Sequence, residues 1–176
     1  MAETFEFEAV DFITIDTIGA PGDRVFHLQA AEYERLFTVI IEKEQADALA
    51  EGIGSILADI REQFDLVTTE PTKLPDMALR EPIIPMFRVG QIGLGYDNEH
   101  DRLVLMLSEL QSEDTSDEQR IARLKLSRDQ IIRLALHTHK VVAGGRPLCG
   151  NCGRPIDPDG HFCPKSNGHK REQAAA

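Results

Sequence analysis

Residues 120–142, RIARLKLSRDQIIRLALHTHKVV, combine a strand pattern, a helix start and an amphipathic helix in direct succession. The first apolar residues alternate loosely with arginine and lysine, which is the period-two pattern of a half-buried strand. Ser127 and Gln130 then form a capping-box pair, in which each side chain bonds to a backbone N–H at the start of the helix. The helical stripe that follows has a 3.6-residue period and ends before Gly144. Its members are Ile131, Leu134, Ala135, Thr138 and Val142.

The same order of patterns occurs in the first half of the chain, over residues 35–60, RLFTVIIEKEQADALAEGIGSILADI. Shorter strand patterns upstream of each helix correspond as well. We interpret this as a tandem duplication of a strand-strand-strand-helix unit, while a chance likeness between two ordinary α+β units is the alternative. The corresponding segments are residues 12–19 and 87–95, residues 23–26 and 101–104, and residues 35–60 and 120–142.

The predicted fold class is therefore α+β, with an antiparallel sheet, two helices and a small C-terminal module. Residues 1–63 are predicted to form the first unit and residues 87–143 the second, with a tail over 144–176. Residues 64–86, called the connector below, contain four of the nine prolines, which block regular helices and ladders. The apolar side chains of the connector favour docking against the protein's own sheet over packing on a partner.

The composition of the chain limits the classes of protein to which it can belong. The chain has 176 residues, 41% of them hydrophobic, which is enough for a proper core. It has no run near the roughly 20 apolar residues that a membrane span needs. The first residues, MAETFEFEAVDF, lack the basic start and apolar core of a secretion signal. Three cysteines, two of them spaced as CxxC, fit metal binding in a reducing compartment, so we expect a cytoplasmic protein.

The chain has a net charge of −11, and this charge is distributed unevenly along the sequence. The first 143 residues carry 14 Lys/Arg against 27 Asp/Glu, whereas residues 144–176 carry five against three. An acidic body repels phosphate backbones, so the pattern argues against nucleic-acid binding except through the tail. The basic residues of the tail are Arg146, Arg154, Lys165, Lys170 and Arg171.

The sequence contains no recognisable catalytic motif. Gly90, Gly93 and Gly95 precede another strand rather than a helix, which is the wrong context for a phosphate-binding loop. His137 and His139 lie about 200° apart around the predicted helix and cannot bind one ion together. The helical pattern places His139 at the edge of the apolar face and His137 opposite it. An enzyme is therefore the less favoured interpretation.

The tail contains the pattern of a metal site. Cys149 and Cys152 form a CxxC followed by glycine, which is typical of a zinc knuckle, and Cys163 follows an Asp-Pro-Asp-Gly turn. A complete zinc ribbon would have another cysteine at position 166, where this chain has Ser166. The spacing predicts zinc bound by these three cysteines, and a reduced turn without metal is the alternative.

The fourth ligand must then be a histidine or a water molecule. His161 is the favoured candidate because it lies two residues before Cys163, and His169 is the alternative. His161 could instead hydrogen-bond a thiolate without binding the ion. With four protein donors, the zinc would be structural rather than catalytic, whereas three would leave a position for water.

Residues 145–171, GRPLCGNCGRPIDPDGHFCPKSNGHKR, resemble the C-terminal signature of an uncharacterised bacterial family with a domain of unknown function. The resemblance extends along nearly the whole chain, through GAPGDR at 19–24, FHLQ at 26–29, EKEQ at 42–45 and FRVG at 87–90. The family has no assigned activity that could be transferred to a residue. The resemblance supports His161 over His169 as the ligand that completes Cys149, Cys152 and Cys163.

Three classes of function follow. The favoured one is a non-enzymatic binding or adaptor protein with a structural zinc module that contacts a protein partner, and a homo-oligomer is compatible with it. The second is an enzyme or small-molecule binder with a site at the seam between the two units. The third is nucleic-acid contact through the basic tail. The residues considered for the seam are His27, Gln29, Arg88 and His139.

Overall fold

The computed structural model describes residues 3–113, 118–157, 159–165 and 171–172, which fall into two compact units. The first unit comprises Met1–Gly19 and Arg24–Ala143, and the second comprises Ala20–Asp23 and Gly144–Ala176. Within these described ranges, neither helix is both long and apolar enough to cross a membrane.

The described part of the first unit contains seven strands and two helices. This confirms the α+β class and places both helices where the apolar periodicity predicted them. The elements are β1 (Thr4–Phe7), β2 (Phe12–Ile18), β3 (Val25–Glu32), β4 (Arg35–Ile41), α1 (Lys43–Phe64), β5 (Pro85–Asp97), β6 (Arg102–Glu109), β7 (Ile121–Leu126) and α2 (Arg128–Ala143).

All seven strands belong to one sheet, in the order β1-β7-β6-β5-β4-β3-β2. Neighbouring strands are antiparallel except at two places, where β4 pairs with β5 and β1 pairs with β7 in parallel. Apart from β1, the sheet consists of two three-stranded meanders, β2-β3-β4 and β5-β6-β7, and a helix follows each of them in the chain. This order of elements agrees with a tandem repeat, while a common origin of the two halves stays a prediction.

The core lies between the two helices and one face of the sheet. Helix α2 follows β7 but packs against α1 and against β2, which lies at the other end of the sheet. The sheet therefore curls around the helix pair. Buried apolar residues alternate along β6 and β7, as the period-two pattern predicted, whereas β2 and β3 are buried over consecutive positions. The fully buried members on β6 and β7 are Leu103, Leu105, Leu107, Ala122, Leu124 and Leu126.

The start of α2 is fixed by the predicted capping box. The Ser127 backbone N–H donates to Oε1 of Gln130 at 2.9 Å, and the Gln130 N–H donates to the Ser127 hydroxyl at 3.1 Å. Nε2 of Gln130 also donates to the carbonyl of Val10 at 2.6 Å. The cap thus ties the helix to the segment that precedes β2.

The connector docks on the outer face of the β2-β3-β4 meander, in agreement with its apolar composition. Met77 is buried, and its carbonyl accepts a hydrogen bond from the Thr14 hydroxyl. Gln29 is fully buried on β3 and binds the backbone of Arg80 at both ends of its side-chain amide. Its Oε1 accepts from the Arg80 N–H at 2.7 Å, and its Nε2 donates to the Arg80 carbonyl at 2.9 Å. The Gln29 side chain therefore forms with the Arg80 backbone the pair of hydrogen bonds that a neighbouring strand would otherwise form.

A second polar contact holds the beginning of the connector. Arg128, at the start of α2, forms two hydrogen bonds to the Asp101 carboxylate, at 2.8 and 3.1 Å. The Arg128 guanidinium also donates to the carbonyl of Val67 at 3.0 Å, and Tyr96 donates to Asp101 at 2.8 Å. The guanidinium of Arg128 holds the pKa of Asp101 below its usual value.

We expect Asp101→Asn to remove part of the pH dependence of stability. A carboxyl whose folded pKa is lowered stabilises the fold above its unfolded pKa of about 3.9, and this contribution disappears as the pH falls through the folded pKa. The free-energy difference between wild type and variant should thus be present at pH 7 and become smaller at an acidic pH below the unfolded pKa. It should be small, because the Asp101 side chain is 44% exposed. Urea unfolding at pH 7 and at the acidic pH measures this free-energy difference. An equal difference at the two pH values would contradict the prediction.

Candidate metal centre

A tight hairpin presents the first two cysteines. The N–H of Cys149 donates to the carbonyl of Arg154 at 2.8 Å, and the N–H of Gly153 donates back to the carbonyl of Cys149 at 2.8 Å. Gly153 has φ +72°, a left-handed conformation that glycine adopts at little cost. The glycine directly after the CxxC therefore allows the chain to reverse there.

A second reversal returns the chain to the first two cysteines. The N–H of Gly160 donates to the carbonyl of Asp157 at 2.8 Å, and Gly160 also has a left-handed φ of +97°. The short strand β8 (His161–Phe162) follows and pairs antiparallel with β9 (Arg171–Glu172). Arg146 forms an ion pair of 2.7 Å with Asp157, which joins the two reversals.

Four ligand atoms converge where the reversals meet, and we call these residues, Cys149, Cys152, His161 and Cys163, the Cys3His cluster. Their ligand atoms all lie within 4.8 Å of one another. The Sγ atoms of Cys149 and Cys163 are 3.8 Å apart, and Sγ of Cys152 is 3.3 Å from Nε2 of His161. Thiolate and imidazole ligands on one tetrahedral ion would be separated by about 3.5 to 3.8 Å. The cluster is thus close enough to bind a metal ion.

Burial separates the ligands into two pairs. Cys149 and Cys163 are buried, whereas Cys152 and His161 are half-buried. No disulfide joins the three cysteines, so their sulfurs are available as thiolate ligands. Nδ1 of His161 is buried and has no hydrogen-bond partner among the residues that the structure describes. The other ring nitrogen of His161, Nε2, faces Sγ of Cys152.

The predicted ligands come together as the spacing suggested. The structure places His161 beside Cys152, and its role as the fourth ligand stays a prediction. His169, the alternative, lies outside the described residues, and so does Ser166.

Three of the four residues considered for a site at the seam form contacts within the first unit. Both ends of the Gln29 amide bind the connector, and the Arg88 guanidinium pairs with Glu42. Nδ1 of His27 lies 3.0 Å from the carbonyl of Val25 on its own strand.

The predicted orientation of the α2 histidines was wrong. His139 is exposed, whereas His137 is half-buried, and Nε2 of His137 has no partner within the described ranges. Burial lowers the pKa of His137, while the charge of Asp16 on β2 acts in the opposite direction. The physical reason is that α2 packs against both α1 and β2, so its buried surface is wider than one apolar stripe.

Comparison with known proteins gives a family and no activity. No curated protein and no solved structure is significantly similar to the chain. Residues 5–163 match the model of a family described as "Protein of unknown function (DUF3090)", and the matched range includes the whole Cys3His cluster. This confirms the resemblance to an uncharacterised family. The chain belongs to the DUF3090 family of proteins of unknown function.

Proposed function

We propose that the Cys3His cluster binds zinc. The observation that carries this proposal is the convergence of three thiols and one imidazole within 4.8 Å. Thiolate and imidazole are the ligands that zinc prefers in proteins, and tetrahedral Cys₃His sites are characteristic of structural zinc. Magnesium and calcium prefer oxygen ligands, which the cluster lacks.

The proposed zinc is structural. A catalytic zinc site keeps one of its positions open for water or substrate, whereas four protein ligands fill a tetrahedron. Two of the sulfurs in the Cys3His cluster are buried, with Cys163 at 0% and Cys149 at 2% exposure. A substrate would have to displace a protein ligand to reach the ion.

We further propose that the chain is a non-enzymatic adaptor whose second unit contacts a protein partner. Leu148 and Phe162, the residues directly before Cys149 and Cys163, are 66% and 61% exposed. An apolar side chain next to each buried sulfur provides anchors of the type that dominate protein interfaces. Residues 144–176 contain five Lys/Arg against three Asp/Glu, and this excess favours an acidic partner surface.

Affinity capture with matched variants tests the adaptor role. The double variant Leu148→Ser/Phe162→Ser removes both anchors, while its zinc content should stay at about one ion per chain. Tyr33→Ser is the control, because Tyr33 is 84% exposed but belongs to the first unit. We expect wild type and the control to capture the same partner and the double variant to lose it. Capture that is unchanged in the double variant would refute the proposal.

A further inference from the structure

A groove of about 340 Å³ lies within the first unit, between the first half of α1 and the middle of β5. We call it the α1–β5 groove. Ala48 and Gly52 line it on the helix, and Ile92 and Leu94 line it on the strand. These residues make its surface mostly apolar, and both helix residues are small. The proposed zinc site and the proposed adaptor contact lie in the second unit, so neither uses this groove.

Strand β5 is longer than its neighbour β4, and this leaves part of one edge of β5 open. β4 pairs with β5 only as far as Arg88, whereas β6 pairs with β5 on the other side as far as Asp97. Within the described ranges, no strand pairs with residues 91–97 on the side opposite β6. In an antiparallel pair, every second residue directs its N–H and C=O away from the partner strand. Residues 91–97 therefore present backbone donors and acceptors along an open edge.

Gln45, in the first turn of α1, marks the point at which the open edge begins. Its Nε2 donates to the carbonyl of Val89 at 3.2 Å and to that of Gly90 at 3.3 Å. Further along, α1 presents Ala48 and Gly52 to the groove, and their side chains are too short to form such bonds. A Cβ at Gly52 would have no atom within 4 Å. The helix thus satisfies the strand edge at Gly90 and leaves open space beside it from there on.

The helix side of the α1–β5 groove is acidic. Three exposed acids lie within about 60° of the groove-lining helix positions around the axis of α1, and they are Glu44, Glu51 and Asp59. None of the three forms an ion pair within the part of the chain that the structure describes. Lys43 and Arg61 lie on the opposite side of α1, and Arg88 on β5 is already paired with Glu42. The charge beside the groove is therefore negative and favours a basic ligand.

We propose that an extended, basic segment of a partner protein adds a strand to the open edge of β5 and places alternate apolar side chains in the α1–β5 groove. In strand addition, main-chain hydrogen bonds give affinity, and a pocket beside the edge selects the side chain at every second position. The acids of α1 attract the basic residues of the segment. This inference does not depend on the zinc site or on the partner contact proposed for the second unit.

Fluorescence anisotropy of labelled peptides with the full chain tests the proposal. The probe is a peptide of alternating valine and lysine, long enough to pair with residues 91–97, and the same peptide with glutamate in place of lysine is the charge control. We expect saturable binding of the lysine peptide that weakens as the ionic strength rises, and binding of the glutamate peptide that is weaker by about tenfold or more. N-methylation of either the valines or the lysines blocks one edge of the peptide at a time. At least one of the two methylated peptides should therefore lose binding.

Gly52→Leu and Gly54→Leu form a matched pair of variants. Both glycines lie on α1, a Cβ at either position would have no atom within 4 Å, and leucine has the higher helix propensity. Only Gly52 lines the groove, so Gly52→Leu should weaken binding of the lysine peptide by about tenfold or more, because the new side chain fills the groove. Gly54→Leu should bind like wild type. The double variant Leu148→Ser/Phe162→Ser should also bind like wild type, because it changes only the second unit.

Several results would overturn the proposal. One is the absence of saturable binding by the lysine peptide, and another is equal affinity of Gly52→Leu and Gly54→Leu for it. Full binding by both methylated peptides would exclude strand addition, and loss of binding in Leu148→Ser/Phe162→Ser would place the peptide outside the groove. Analytical ultracentrifugation without peptide tests the other occupant. A wild-type dimer that becomes a monomer in Gly52→Leu would assign the open edge to a second copy of the chain instead.

Discussion

Removal of the zinc proposed for the Cys3His cluster is expected to unfold residues 146–165 while the sheet of the first unit stays intact. In the described part of the second unit, Cys149 and Cys163 are the only buried apolar residues. A segment with no other core cannot offset its conformational entropy by apolar burial. Binding of structural zinc contributes about 10 to 16 kcal/mol in isolated zinc-finger peptides, and that free energy is also folding free energy.

Hydrogen exchange measured with and without a chelator checks this expectation. The N–H groups of Cys149, Gly153, Ile156 and Gly160 form backbone hydrogen bonds in the second unit and should lose their protection when the metal is removed. Amides of the seven-stranded sheet should exchange as before. Protection of residues 146–165 that is unaffected by the chelator would show that the metal does not hold this unit together.

Two substitutions separate ligand loss from a general effect of mutation. Cys163→Ser should reproduce the effect of the chelator, because it removes a buried thiol that is a proposed zinc ligand. Leu148→Ser is the matched control, since Leu148 lies beside Cys149 but is exposed. The control should keep both the metal and the protection. Loss of metal from the control, or its retention in Cys163→Ser, would contradict the assigned ligand set.

Gln29→Leu is expected to destabilise the first unit by about 2 to 3 kcal/mol, although the side chain keeps nearly the same volume. Gln29 is fully buried, and its amide binds the Thr38 hydroxyl at 3.0 Å as well as the N–H and the carbonyl of Arg80. Leucine would leave all three groups without this partner. The cost arises mainly from polar groups that remain desolvated, such as the buried Thr38 hydroxyl.

Urea unfolding and local hydrogen exchange test Gln29→Leu together. The midpoint should fall, and the N–H of Arg80 should exchange faster, because it loses its acceptor. Gln91→Leu is the control, since Gln91 is exposed on β5, and it should change stability by no more than about 0.5 kcal/mol. If Gln29→Leu were as stable as this control, the connector would not be held by the Gln29 amide.

The helices and six of the seven strands of the sheet could be predicted because their signals are local. The capping box at Ser127 and the apolar periods of 2 and 3.6 residues need only neighbouring positions. Strand β1 has four residues, and its partner β7 lies more than 100 residues later, so no local pattern indicated it. The role of Gln29 was missed for the same reason, since it depends on how the distant connector docks.

The Cys3His cluster, unlike β1 and the role of Gln29, could be predicted from local sequence. Its members lie between positions 149 and 163, and such short loops restrict which side chains can meet. The sequence left two histidines as candidates, and the structure places His161 with Nε2 at 3.3 Å from Cys152. The orientation of His137 could not be predicted, because α2 packs against an edge strand that is remote in sequence.

The parallel pairing of β1 with β7 has a consequence for the order in which the chain assembles. Glu6 and Arg123 form an ion pair across these strands although 117 residues separate them. At a translation rate of about 5 to 20 residues per second, β1 would leave the ribosome roughly 6 to 25 s before its partner. The β2-β3-β4 meander follows β1 in the chain, and its strands pair with one another over short sequence separations, so it can form during that time. The first strand to be synthesised is therefore among the last to be incorporated into the sheet.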